Sequence, residues 1–192
     1  MDRLPSRPDE ALAQRRTERR WIPVLIVTAL ILLVAQGAKS VADAMAGPTA
    51  PAVEVGSAVE IQPRPGWDVE SISTSPPAAR LHRGTVLLDV FVYGAEAGGA
   101  AAVAQRYVDE ALRPGLASVW IGGAAETTLA GGVPAVRFGY IGLTHDGVSL
   151  EGVVIAASGH AASAVFDAYA PRGSLATVAQ DLRVMIDGAV LR

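Results

Sequence analysis

Residues 135–169, AVRFGYIGLTHDGVSLEGVVIAASGHAASAVFDAY, are the stretch whose reading decides the fold. The run is rich in Val, Ile, Phe and Tyr and is broken at Asp146-Gly147 and Gly159-His160. Those residue types in runs between turn signals read as three strands. Asp-Gly is the preferred two-residue hairpin turn, because both central positions take positive φ. Such a turn pairs Thr144 with Ser149, Tyr140 with Val153 and Phe138 with Ile155. This register collects Val136, Phe138, Tyr140, Val153 and Ile155 on one apolar face. A slip of one residue would mix that face with the other. Gly159-His160 supplies a second turn with glycine at its first central position, and Ala164 and Phe166 continue the same face. The expected result is an antiparallel meander with one strongly apolar side.

Upstream, residues 126–129 and the turn Gly131-Gly132 complete a hairpin with residues 135–144. Residues 53–61 alternate loosely and read as one strand. Pro63 and Pro65 force a bend before Trp67, since proline donates nothing to a ladder. Residues 71–79 are rich in Ser and Pro and read as loop, and residues 84–93 as a buried strand. Residues 99–112 read as a helix with Val103, Tyr107, Ala111 and Leu112 on one face, stopped by Pro114-Gly115. A short strand follows at 119–121. Downstream, Pro171-Arg172-Gly173 ends the meander and Ser174 is placed to cap a last helix. Leu175, Val178, Leu182, Met185, Ile186 and Ala189 recur there at helical spacing. Burying that stripe on the sheet contributes roughly 1.5–3 kcal/mol per large apolar side chain. The fold class is α+β, a twisted antiparallel sheet with helices packed on it, in one domain over residues 53–192.

The N-terminal quarter has a different character. Residues 1–20 hold six arginines and four acids, a net of +2, and read as a solvated tail. Residues 21–38 are eighteen residues with one polar interruption, Gln36. As a helix they span roughly 27 Å, close to a hydrocarbon core of about 30 Å. The arginines before the segment place the N-terminus in the cytoplasm and the C-terminal domain outside, with the protein a single-pass signal-anchor of the cell membrane. The rival is a cleaved signal peptide, for which Ala44-Met45-Ala46 would be the cleavage site. The long stretch between Gln36 and Ala46 argues for the anchor. Residues 39–52 are an Ala/Gly/Pro linker. The chain has no cysteine, which excludes a lipoprotein anchor and a disulfide framework.

From Gly47 onward there are nine arginines, no lysine and fourteen acids, a net of −5. That balance argues against nucleic acid as a partner. No Gly-x-Ser-x-Gly elbow, phosphate loop or dinucleotide fingerprint occurs, so neither a hydrolase nucleophile nor a nucleotide cofactor is indicated. His145 and His160 sit in turns at opposite ends of one strand, about 30 Å apart at roughly 3.4 Å per residue. With His82 they form no cluster at metal-ligand spacing. Asp109 and Glu110 point in different directions on a helix, while Glu151 and Asp167 fall on neighbouring strands and read as solvated acids. Arg137 reads as a strand residue paired across the sheet. The expectation is a protein that is not an enzyme, with no metal and no cofactor.

The order of parts resembles the Mog1/PsbP-like α/β/α sandwich family. A leading strand reaches Pro65-Gly66-Trp67, then come a strand, a helix and a meander broken by Gly131-Gly132-Val133-Pro134-Ala135. The meander ends at Tyr169-Ala170-Pro171 and an amphipathic helix closes the chain. The resemblance covers roughly residues 53–192 and extends to the exported, membrane-anchored actinobacterial type; the alanine-rich, lysine-poor composition suits such a source. It implies a sheet between helices and non-catalytic work: accessory roles in membrane complexes, partner binding and, in some envelope members, lipid binding. It implies no catalytic residues. The N-terminal anchor departs from the lipoprotein or cleaved forms common among relatives. Two features stand out for binding. Trp67 and Trp120 lie near loops, where Trp is enriched at interfaces, and are the candidate partner-binding residues. Phe91, Phe138, Tyr140 and Phe166 are the candidate lining of an apolar cleft. The leading expectation is an extracytoplasmic accessory protein that binds an envelope protein partner; the alternative is a binder or carrier of an envelope lipid or other apolar small molecule.

Overall fold

The computed structural model describes residues 51–192. The basic tail, the segment read as a membrane anchor, the cleavage site at Ala46 and most of the linker lie outside the described residues. Among the described residues, no helix is long and apolar enough to cross a membrane.

Strands β1 (Val53–Val55) and β2 (Val59–Ile61) pair antiparallel, Val55 opposite Val59. The single strand expected over residues 53–61 is therefore a hairpin. Gly56, at φ 59°, takes the left-handed turn conformation that reverses the chain. The last strand, β11 (Val190–Leu191), adds to β2 and makes a three-stranded sheet.

The main sheet is antiparallel throughout and has eight strands. They are β3 (Asp68–Thr74), β4 (Pro77–Arg83), β5 (Val86–Gly94), β6 (Ser118–Ile121), β7 (Ala125–Thr128), β8 (Pro134–Leu143), β9 (Ser149–Ser158) and β10 (Ala162–Pro171). The order is β3-β4-β5-β10-β9-β8-β6, with β7 on β8 as well. Residues 71–79, expected as loop, belong to the β3–β4 hairpin. Every side chain of β3 is exposed, so this edge strand carries no apolar pattern to read.

The expected register of the β8–β9 hairpin is off by one residue. Phe138 lies opposite Val154, Tyr140 opposite Gly152 and Leu143 opposite Ser149. The turn has three loop residues, His145-Asp146-Gly147, closed by the Thr144 N–H donating to the Val148 carbonyl at 2.9 Å. Only Gly147 takes positive φ, 88°, which suits a three-residue loop ending in a left-handed glycine. The next turn also differs. Gly159 N–H donates to the Ala162 carbonyl at 2.9 Å, so His160-Ala161 are its central residues.

The slip redistributes the faces. Phe138 and Tyr140 join Val154, Ala156 and Val165 in one core. Ile155, with Val153 at the margin, joins Ala164 and Phe166 in the other. Both faces are apolar because both are covered, and alternation cannot choose between registers on such strands.

Helix α1 (Gly99–Tyr107) covers the first face and runs on through a π-helical turn, Val108–Leu112, to a last turn at Arg113–Gly115. Val103, Tyr107 and Leu112 are buried beneath it, as the spacing predicts. The second face is covered by the three-stranded sheet and by α2 (Ala179–Asp187), which a 3-10 turn at Leu175–Val178 precedes. Val178, Leu182, Met185, Ile186 and Ala189 are buried there, and Leu175 is partly so. Ser174 makes no side-chain cap. Instead the Glu151 carboxylate accepts the Leu175 N–H at 2.9 Å, because β9 brings it under the first turn.

Candidate functional site

The two candidate tryptophans part company. Trp67 is 4 % exposed and packs in the core beneath the three-stranded sheet. Its backbone N–H donates to the Arg64 carbonyl at 3.1 Å, closing the proline-rich bend, while the indole N–H is buried without a hydrogen-bond partner among the described residues. It is a core residue and not the partner-facing residue expected. Trp120 is 68 % exposed. It stands on β6, the edge strand of the sheet, opposite Ile141, itself exposed.

Beside Trp120 runs a groove of about 700 Å³ between that edge and α2. Val153 and Ile155 line it from the sheet, and Leu182 and Ile186 from the helix. Gly122 lets the chain press close: its N–H donates to the Gly139 carbonyl at 2.8 Å, and a Cβ there would stand 3.3 Å from the same oxygen. Four charged residues line the groove: Arg137, Glu151, Arg183 and Asp187. Glu151 is engaged with the Leu175 N–H, and Arg183 lies 3.4 Å from Asp187. The guanidinium of Arg137 has no partner among the described residues, against the expectation of a cross-sheet pair.

The candidate cleft residues do not share one cleft. Phe91, Phe138 and Tyr140 lie on the α1 face, while Phe166 lies on the α2 face. Phe138 and Phe166 fill the two cores. The register slip of β8 against β9 separates Phe138 and Tyr140 from Phe166, and Phe91 stands opposite Val165, on the face away from Phe166.

The α1 face holds a polar cluster that sequence reasoning missed. Asp167 on β10 lies directly opposite Asp89 on β5. Arg80 donates to both oxygens of Asp89, at 2.6 and 2.8 Å, and the Tyr169 hydroxyl lies 3.2 Å away. Asp167 is 3 % exposed. It takes the Tyr107 hydroxyl at 2.5 Å and the Tyr140 hydroxyl at 3.1 and 3.3 Å. Burial pushes the Asp167 carboxyl up to about 7, against the pull of its two tyrosine bonds. Burial and the neighbouring Asp167 also raise both tyrosines. A cleft of about 400 Å³ opens between this cluster and the C-terminal end of the first helix. Asp167 does not pair with Glu151, which lies opposite Ala170 on the other face. The available signal was an acid in the otherwise apolar run of 164–170, since a buried charge needs partners.

His145 and His160 occupy turns at opposite ends of β9, as expected, and His82 lies on β4. Among the described residues no group of three His, Asp or Glu is placed to hold a metal.

No protein-family model and no curated protein matches this chain. Solved structures do. The cyanobacterial PsbP of Synechocystis sp. superposes with a TM-score of 0.53 at 14 % identity, over 70 % of this chain and 87 % of that one. LpqN of Mycobacterium tuberculosis, described as involved in cell envelope biogenesis, does so at 0.53 and 15 %, over 73 % and 89 %. A protein of Bacteroides thetaiotaomicron reaches 0.50 at 10 %, over 73 % of this chain and 47 % of its own. At such identities the likeness is one of fold, and the fold of this chain is Mog1/PsbP-like.

Proposed function

We propose that this protein is a non-enzymatic accessory factor of the cell envelope. Residues 21–38 anchor it in the membrane with the N-terminus in the cytoplasm, and the domain outside binds a protein partner. The observation that carries this reading is the groove beside Trp120. An exposed Trp opposite an exposed Ile, with an arginine alongside that has no partner among the described residues, has the composition of a binding hot spot. Two of the groove's four charged residues are already engaged with each other, Arg183 with Asp187, and Glu151 holds the Leu175 N–H, which supports binding over catalysis. The involvement of LpqN, a protein of the same fold, in cell envelope biogenesis agrees with the location proposed.

A second reading has its own support. A groove of about 700 Å³ with Val153, Ile155, Leu182 and Ile186 along it falls within the roughly 300–1,000 Å³ of small-molecule sites. An envelope lipid or other apolar molecule would lie there. One experiment separates the two. A photo-crosslinking side chain is placed at position 120 of the full chain in its native membrane, and adducts are resolved by mass. A discrete protein adduct that disappears in the Arg137→Glu variant supports the partner reading. A small adduct lost on organic extraction supports the lipid reading. Labelling that is diffuse and indifferent to Arg137 overturns both.

A further inference from the structure

Of the polar cluster on the α1 face only Tyr140 also borders the groove, whose Val153, Ile155, Leu182 and Ile186 belong to the α2 side of the sheet. The cluster's position is unusual for a helix contact. Val103, Ala104, Val108 and Leu112 dock α1 by apolar contact, and Phe91 meets the Tyr107 ring at 5.6 Å. Two polar contacts join them: the Arg106 guanidinium stacks 4.3 Å from the centre of the Tyr93 ring, and the Tyr107 hydroxyl, the one that enters the polar cluster, reaches Asp167 at 2.5 Å. Immediately after Tyr107 the helix widens into its π turn, a geometry common at functional sites. The 400 Å³ cleft lies between that widened end, through Leu112 and Leu116, and the sheet.

Consider what faces the Asp167 carboxyl. From α1 comes Tyr107 and from β8 comes Tyr140. From β5 comes Asp89, with Arg80 of β4 behind it, and from its own strand Tyr169, which turns to Asp89. On β9 the opposing residue is Val154. The one cation in this set, Arg80, is already committed to both oxygens of Asp89. A protonated Asp167 is therefore compatible with its surroundings. An ionised Asp167 sets a second negative charge against Asp89 in a buried site, with two hydroxyls as its donors. Relief comes from water, and the cleft is the path. Strands β5 and β10 cannot yield, because each is held in a ladder on both sides. The wall free to move is the helix end.

We propose that Asp167 is a proton-controlled latch: its protonated carboxyl holds the C-terminal half of the first helix on the sheet, and its ionisation loosens that half and opens the cleft. The carboxyl changes charge near neutral pH, since burial raises it to about 7. An exported domain would thereby respond to the acidity of its surroundings.

The test is amide hydrogen exchange on the full chain in mild detergent between pH 5.5 and 8.5, corrected for the intrinsic rate. Protection across residues 105–116 should fall by up to about tenfold per pH unit as pH rises towards the midpoint and level off above it, as a single-proton opening requires, while β5 and β10 keep theirs. Asp167→Asn, uncharged throughout, should abolish the pH dependence. Tyr107→Phe keeps the ring but removes a donor to the carboxylate, so its midpoint should move upward. Carbon-13 NMR of the carboxyl should show the same midpoint in the wild type, and with Tyr107→Phe it serves even where Asp167→Asn fails to fold. The proposal is overturned by an Asp167→Asn variant that loses protection as the wild type does. It is equally overturned by loss spread evenly over the domain, or by an Asp167 carboxyl that titrates in the ordinary carboxylate range.

Discussion

Asp167 makes the domain's stability depend on pH in a direction opposite to that of a salt-bridged carboxylate. Its folded pKa is raised from 3.8 to about 7, so the folded state holds a proton that the unfolded state releases. Stability is then greatest below about pH 4 with respect to this group and declines as pH rises to about 7, by up to about 4 kcal/mol. Urea denaturation at pH 4.5, 6 and 8 should show that decline in the wild type and not in Asp167→Asn. Gly152 offers a second residue-scale prediction. A Cβ there would stand 2.3 Å from the Tyr140 ring, so Gly152→Ala must displace the tyrosine and its bond to Asp167. A loss of about 1–3 kcal/mol is expected from overpacking. Gly123→Ala, with open space around it and an ordinary φ, should leave the urea midpoint nearly unchanged. The two tryptophans make a third pair. Trp67→Ala should cost about 3–5 kcal/mol, as for other large core truncations. Trp120→Ala should leave the melt within about 0.5 kcal/mol and act on partner capture alone.

Among the elements, the register of β8 and β9 decides most. The expected two-residue turn at Asp146-Gly147 gave way to a three-residue turn, and every side chain of β9 changed face relative to β8. Gly147 at φ 88° ends that turn, so Gly147→Ala should destabilise the hairpin by about 1 kcal/mol, read as a lower thermal midpoint with the sheet's circular dichroism retained. The meander's existence was legible because Val, Ile and aromatic runs between turn residues leave little choice. Its register was not, because a strand apolar on both sides has no polar face to hold outward. Strand β3 was illegible for the opposite reason, having no buried face at all. Helix α1 was read correctly, since Val103, Tyr107 and Leu112 keep helical spacing against one face of the sheet.

For the molecule as a whole, the second face of the sheet closes only when the chain's end returns. Val178, Leu182, Met185 and Ile186 fill the core over Phe166, and β11 completes the sheet begun by β1 and β2. A chain truncated before Leu182 loses most of that cover at roughly 1.5–3 kcal/mol per large side chain. It should therefore show no cooperative thermal transition; a truncated chain with a sharp melt would refute this.

The sequence by itself determined the α+β class, the order of the meander and the helices, and the apolar stripe of residues 175–189. It did so because burial imposes a period on each element locally. It also determined the net acidity and the absence of thiol chemistry after residue 47. Only the tertiary structure decided which tryptophan faces solvent, which way the hairpin registers, and that Asp167, Asp89 and four partners from β4, β8, β10 and α1 meet in one cluster. Those outcomes depend on residues far apart in the chain. A buried carboxyl acquires its chemistry from what the fold sets around it, and no local pattern carries that information.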